Sequence, residues 1–244
     1  MSGKKIAIVT GASSGMGREM VYLLADHFAA LEEIWVIARR KDRLEELVGK
    51  VPVSLRILPF DLSDEEDLCM LSGLLKQEQP NVKILVNGAG YGKTGAAGTI
   101  PGASPPNGAV NDEALVAVTE MVLPYISRNS RIIQFASAAA FMPQPGFAVY
   151  AASKSFVLSY SRALAAELKK REIYVTAVCP GPVETEFFGI ALNGGKACTY
   201  QETHDGRSEK SSEKSSPGQY EGQTDLGIWS VDESILCSLP DRSA

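Results

Sequence analysis

Histidine is scarce in this chain. Of 244 residues only His27 and His204 are histidines, and the four cysteines (Cys69, Cys179, Cys198 and Cys237) are scattered without a CxxC pair. A metal centre needs several such ligands at short spacings, so none is expected. The same scatter argues against a disulfide framework and fits reduced thiols in a cytoplasmic protein. Excess positive charge is missing too. The formal net charge is −5, which argues against nucleic acid as a partner, because gripping a phosphate backbone takes clustered cations. No apolar run nears the roughly 18 residues of a membrane span. After Met1-Ser2-Gly3-Lys4-Lys5 the chain enters an apolar run too short for the core of a signal peptide. Internal repeats are absent, which sets solenoids and propellers aside.

What is present is a globular composition, 45% hydrophobic and 22% charged. Short β-branched runs alternate with longer amphipathic ones. Ile6-Ala7-Ile8-Val9 reads as a buried strand, and Ile34 to Ile37, Leu55 to Leu58, Val82 to Val86, Ile132 to Phe135 and Ile173 to Val178 follow as five more. Helices are expected over 15–30, 41–49, 64–76, 109–127 and 149–170. Strands alternating with helices imply right-handed crossovers and a parallel sheet covered on both faces.

The first strand runs into Thr10-Gly11-Ala12-Ser13-Ser14-Gly15-Met16-Gly17 and then a helix. Gly11 suits the tight turn, Gly15 the approach of backbone N–H groups to a pyrophosphate, and Gly17 close packing of helix on strand. The positive end of the helix would then face the phosphates. A glycine-rich turn alone is weak evidence; its place after the first buried strand gives it weight. The second strand ends at Ala38, before Arg39-Arg40. An acid here would favour the ribose hydroxyls of NAD, whereas an arginine suits a 2′-phosphate. NADP is therefore favoured over NAD, the alternative being that the two arginines only solvate a helix start. Together these features predict an α/β fold: a single, doubly wound Rossmann-type parallel sheet with helices on both faces.

Further motifs follow in order. The chain carries Asp61-Leu62 after the third strand, Asn87-Gly88-Ala89-Gly90 after the fourth, and Asn111 in a Val-Asn-x-x-Ala-Leu context. Ser137 follows the fifth strand, Tyr150-Ala151-Ala152-Ser153-Lys154 has the form YxxxK, and Pro180-Gly181-Pro182-Val183-Glu184-Thr185 the form PG…T. Over about residues 4–193 this order resembles the short-chain dehydrogenase/reductase family. The resemblance implies an oxidoreductase that moves a hydride between NADP(H) and a carbonyl or alcohol. It casts Asn111, Ser137, Tyr150 and Lys154 as catalytic. It casts Gly11, Ser13, Ser14, Gly15, Met16, Gly17, Arg39, Arg40, Asp61, Leu62, Asn87, Ala89, Gly90, Pro180, Gly181, Val183 and Thr185 as cofactor-binding, with Tyr150 and Lys154 sharing that task. It further implies that Asn111 positions a water that links Lys154 to solvent. A homodimer or homotetramer through the YxxxK helix and the long helix before it is likewise implied by resemblance only.

The residue types suit the chemistry. Tyr150 and Lys154 are four apart on a helix and share a side. A free tyrosine has a pKa near 10, and a neighbouring ammonium is expected to lower it. Ser137 can donate to an oxygen that gains charge. Read alone, a Tyr/Lys pair at this spacing is ordinary on an amphipathic helix. Phe141, Met142, Phe147, Phe187 and Phe188 suggest an apolar pocket and a lipid-, steroid- or acyl-like small-molecule substrate. The other functional class is a nucleotide-binding sensor or scaffold that has lost turnover. Two segments depart from the pattern. Residues 94–108 are crowded with glycine and proline and read as a loop. Residues 194–244 read as an atypical polar tail, disordered or of non-native origin as after a frameshift, behind a catalytic domain of residues 1–193.

Overall fold

The strands form where the sequence runs to consecutive β-branched residues, which pack well when both faces of a sheet are covered. The computed structural model describes residues 3–92 and 109–181. Its strands are β1 (Lys5–Thr10), β2 (Glu33–Ile37), β3 (Ser54–Leu58), β4 (Asn81–Asn87), β5 (Ile126–Phe135) and β6 (Ile173–Val178). They make one parallel sheet in the order β3-β2-β1-β4-β5-β6. The helices are α1 (Gly15–His27), α2 (Lys41–Glu45), α3 (Glu65–Glu78), α4 (Ala114–Val122) and α5 (Ala148–Leu168).

Alternation along β1 divides the core. Ile6 and Ile8 face a layer with Leu71 and Leu75 of α3, Val118 and Val122 of α4, and Leu164 and Leu168 of α5. Ala7 and Val9 face the other way, onto Val21 and Leu24 of α1 and Leu44 of α2. Helices thus cover both faces, as the doubly wound reading requires. The strand order reverses between β1 and β4, and in open α/β sheets that reversal leaves a crevice at the carboxyl ends of the strands. No described helix is long and apolar enough to cross a membrane.

Two elements differ from the sequence expectation. The helix expected over 109–127 is a π-helical turn (Ala109–Glu113), then α4, then a single 3-10 turn (Leu123–Tyr125). Pro124 sits at the start of that turn, where its missing N–H costs nothing, but it cannot continue an α-helix. β5 accordingly begins at Ile126 rather than Ile132, and its register on β4 shifts between the Val82–Ile126 and Ile84–Arg131 pairs. The second helix ends at Glu45, short of the expected 49. The tail and the 94–108 loop lie outside the described residues.

One polar cluster is built into the sheet. The Asn87 amide donates to Thr119 Oγ1 (2.9 Å) and Gln134 Oε1 (3.0 Å), Gln134 Nε2 donates to Thr119 Oγ1 (3.3 Å), and the Thr119 hydroxyl donates to the Leu115 carbonyl (2.7 Å). All three side chains are buried. Thr119 therefore ties α4 to β4 and β5 through one oxygen. Thr119→Val keeps the shape but leaves two buried amide donors short of an acceptor, and should cost about 1–3 kcal/mol of folding free energy in urea titration. An unchanged midpoint would show that the cluster is not a structural tie.

Candidate active site

Two strands end at the crevice in buried polar residues, β1 in Thr10 and β4 in Asn87. Thr10, the last residue of β1, is buried, and its hydroxyl accepts from the N–H groups of Gly88 (3.0 Å) and Ala89 (3.1 Å). The turns after β1 and β4 are thereby held together. Gly11 turns the chain at φ +70°, and a Cβ there would stand 2.5 Å from the Gly88 carbonyl oxygen; both the angle and the approach demand glycine. α1 starts after Ser14, with no side-chain cap on its first N–H groups and no acid in its first turn. Uncapped N–H groups at a helix start suit an anion.

The two arginines after β2 diverge. Arg40 reaches back to the glycine turn, donating from Nη2 to Ser14 Oγ (2.8 Å) and Ser13 Oγ (3.2 Å). Arg39 turns to Asp61, 3.8 Å away. Burial pushes the Asp61 carboxyl up, but hydrogen bonds from Ser63 and the charge of Arg39 outweigh it and hold it below its ordinary value. Leu62 is a core side chain, so only its backbone can face a nucleotide. The Asn87 side chain is likewise spent on the Thr119 and Gln134 cluster. Ala89 packs partly against the core, and Gly90 lies against Asn111 and Lys154.

Ser137 follows β5, and Tyr150 and Lys154 lie on the first turns of α5. Lys154 is buried and donates from Nζ to the Phe135 carbonyl (2.8 Å), while the same nitrogen lies 5.7 Å from the centre of the Tyr150 ring. Burial pushes the ammonium down to about 8, against the charge of Asp112. Tyr150 departs from expectation. Burial raises its pKa, and the group that opposes the rise is the Ser137 hydroxyl, hydrogen-bonded to it, rather than the lysine. Ser137 Oγ also accepts from the N–H of Ala139 (3.1 Å).

Asn111 is fully buried and pins the chain after β4. Its Oδ1 accepts from the Tyr91 N–H (3.0 Å), and its Nδ2 donates to the Tyr91 carbonyl (2.8 Å) and to Ser153 Oγ (3.1 Å). Its side chain fastens the β4 turn to α5. Pro180 belongs to the same edge, its carbonyl accepting from the Ala138 N–H (2.9 Å), with Gly181 next to it. Val183 and Thr185 lie outside the described residues, as do Phe187 and Phe188.

Sequence reasoning assigned no role to Thr10 or Asp112, and treated Gly92 and Phe147 only as pocket residues. The Phe147 ring stacks on Tyr150, with centroids 4.2 Å apart and planes 18° from parallel. A Cβ on Gly92 would come within 2.8 Å of both rings. The one available signal was the Gly92 position, two residues past the Asn87–Gly90 motif.

Fold and site together define a dinucleotide-type crevice carrying a Ser, Tyr and Lys constellation. The short chain dehydrogenase family matches residues 5–191, and the chain belongs to it. The chain is 31% identical over 201 residues to sulfoacetaldehyde reductase 2 of Chromohalobacter salexigens, covering 80% of this chain and 79% of that protein. It is 34% identical over 212 residues to the NADP-dependent 3-hydroxy acid dehydrogenase YdfG of Shigella flexneri, covering 81% and 82%. A short-chain dehydrogenase from Sphingobium yanoikuyae, solved in complex with NADPH, superposes with a TM-score of 0.69 at 29% identity, covering 77% of this chain and 74% of that one.

If the ring pair sets the Tyr150 hydroxyl, Gly92→Ala should displace it. Turnover should fall by about 10-fold or more, since small misplacements of a reacting group are costly, while the cofactor dissociation constant stays unchanged. Equal loss in both would show that Gly92 shapes the whole crevice instead.

Proposed function

We propose that the chain is an oxidoreductase that moves a hydride between NADP(H) and a carbonyl or alcohol carbon. The observation that carries this reading is the convergence of Ser137, Tyr150 and Lys154 on the edge where the glycine turn after β1 also opens. The crevice fits the cofactor: the start of α1 is uncapped and free of acids, and Arg40 stands over Ser13 and Ser14. The pyrophosphate would lie along Gly11 to Gly17. Arg40, more than Arg39, would hold a 2′-phosphate, and Asp61 and the Leu62 backbone would border the adenine. The β4 turn through Ala89 and Gly90, with Asn87 as its anchor, and Pro180 and Gly181 would flank the nicotinamide. Tyr150 and Lys154 would reach its ribose. NADP is supported over NAD by Arg40 and by NADP(H) in the names of similar proteins.

When bound, the cofactor supplies or accepts the hydride. The Tyr150 hydroxyl donates a proton to the substrate oxygen in reduction and takes it back in oxidation. Ser137 donates a hydrogen bond to the same oxygen as charge grows there. The Lys154 ammonium stabilises charge around Tyr150 and ribose hydroxyls. Asn111 holds the turn that carries Gly90 and Tyr91 against α5.

The substrate is read as apolar. Residues 138–150 carry no charged side chain, and Phe141 and Met142, just past Ser137, are 51% and 55% exposed. An acidic substrate would ask for a cation there. The catalytic domain is taken to end near residue 193, in line with the family match to 191. Val149 and Phe156 expose apolar surface on α5, with Phe156 stacked on Tyr160, which supports a homo-oligomer joined through that helix.

The test is NADPH-dependent reduction across a panel of apolar and acidic ketones. Apolar ketones should be preferred, and Tyr150→Phe should lower kcat by about 100-fold or more. Arg40→Ala should weaken NADPH binding about 10-fold or more and leave NADH binding unchanged, as expected for a lost charged hydrogen bond. Tight NADPH binding with no turnover on any ketone would contradict the catalytic reading.

A further inference from the structure

The Lys154 ammonium presents a problem of its own. It is buried, and its hydrogen-bond partner is a neutral carbonyl, that of Phe135. An ion buried in this way loses hydration that one neutral acceptor does not replace, and it either finds a counter-charge or sheds its proton. The groups that act on it from the surrounding elements are few. Tyr150 on its own helix offers a ring face at 5.7 Å. Cys179, just after β6, is a buried thiol whose pKa is raised by that burial, so it carries no charge near neutrality. The π-helical turn that enters α4 presents Asp112, next in sequence to Asn111, whose bond to Ser153 sets this turn against the segment that carries Lys154; Asp112 makes no direct ion pair with the ammonium, and its charge acts on it across space.

Asp112 is not an ordinary acid at a helix start. Its Oδ1 is shut off from solvent and accepts no hydrogen bond. The charged groups that act on it are Lys154, which favours its carboxylate, and the neighbouring Glu113, which opposes it. An acid placed for solubility would turn outward, as the exposed Glu113 does. The position is fixed from both sides: Asn111, one residue earlier, is bonded to Tyr91 and to Ser153, and Ser153 immediately precedes Lys154. Gly90 closes the gap, a Cβ there standing 2.9 Å from Asn111 Oδ1 and 3.4 Å from Lys154 Nζ.

We propose that Asp112 is the counter-charge that keeps the buried Lys154 ammonium protonated, and thus a positioning residue of the active site. Burial drives the two groups towards each other's range, the carboxyl up to about 6 and the ammonium down to about 8. Between those limits both are charged and the pair is intact. Below the lower limit Asp112 takes a proton and its hold on Lys154 weakens; above the upper one Lys154 loses its charge. The catalytic consequence rests on the reductase reading, but the charge pair itself does not.

The pair can be followed without cofactor or substrate. In the full chain carrying isotope-labelled lysine, the Lys154 Cε resonance is assigned by its loss in Lys154→Met and titrated by NMR. The wild-type midpoint should lie at about 8. Asp112→Asn should lower it by about 1 unit or more, as expected for loss of an opposite charge that acts on it, and Asp112→Glu should restore it. Because coupling is reciprocal, Lys154→Met should raise the Asp112 carboxyl above about 6, and this arm decides the matter if Asp112→Asn does not fold. Midpoints that do not move in these variants would overturn the proposal. In turnover, the alkaline limb of kcat/KM should shift down in Asp112→Asn; absence of turnover in every protein would count against the reductase reading and leave the NMR result standing.

Discussion

A single hydroxyl holds the working edge of this molecule together. Thr10 ends β1 at the point where the strand order reverses, and its oxygen accepts two N–H groups from the turn after β4. A parallel sheet delivers all its strands to one edge, but it does not by itself join their loops. The Thr10 bond does so, and Gly11 beside it permits the close passage of the two turns. From that junction the rest follows. The glycine turn opens onto the start of α1, the β4 turn carries Gly90 and Tyr91 to Asn111, and Asn111 passes the constraint to Ser153 on α5. Tyr150 and Lys154 are then set by the same chain of contacts that fixes the cradle.

The second determinant is dehydration. Tyr150 and Lys154 sit where water is excluded, so each loses stability in its charged form. The structure answers with directed partners: Ser137 for the phenol, the Phe135 carbonyl for the ammonium, Phe147 for the ring face. A buried polar group of this kind is worth keeping only where chemistry needs it, since the same volume filled with apolar side chains would be no less stable.

Much of this was legible in the sequence because it is local. The six strands are short runs of Ile, Val and Leu, and all six formed where those runs stand. The glycine turn, Ser137 and the Tyr150/Lys154 spacing are patterns within a few residues. What escaped reading depends on topology. That the turn carrying Asn111 and Asp112 lies against Ser153, beside Lys154, is a consequence of α4 and α5 lying on the same face of the sheet, and no spacing along the chain encodes it. Arg39 and Arg40 are adjacent in sequence, yet only the exit angle from β2 decides which of them reaches the glycine turn. Leu62 and Asn87 occupy family motif positions, but their side chains serve the core and the Thr119 cluster. The early end of α4 was visible in Pro124; the apolar periodicity running past it masked the break.

On the proposed function, this edge transfers a hydride from NADPH to a carbonyl carbon while Tyr150 supplies the proton. The direct measurement is reduction of an apolar ketone with NADPH deuterated on one face at the reactive carbon of the nicotinamide, with the product read by NMR. The account predicts that one face delivers deuterium to the carbinol carbon and the other delivers none, with no label entering from deuterated water at that carbon. Label from both faces, or carbon-bound deuterium from solvent, would contradict it.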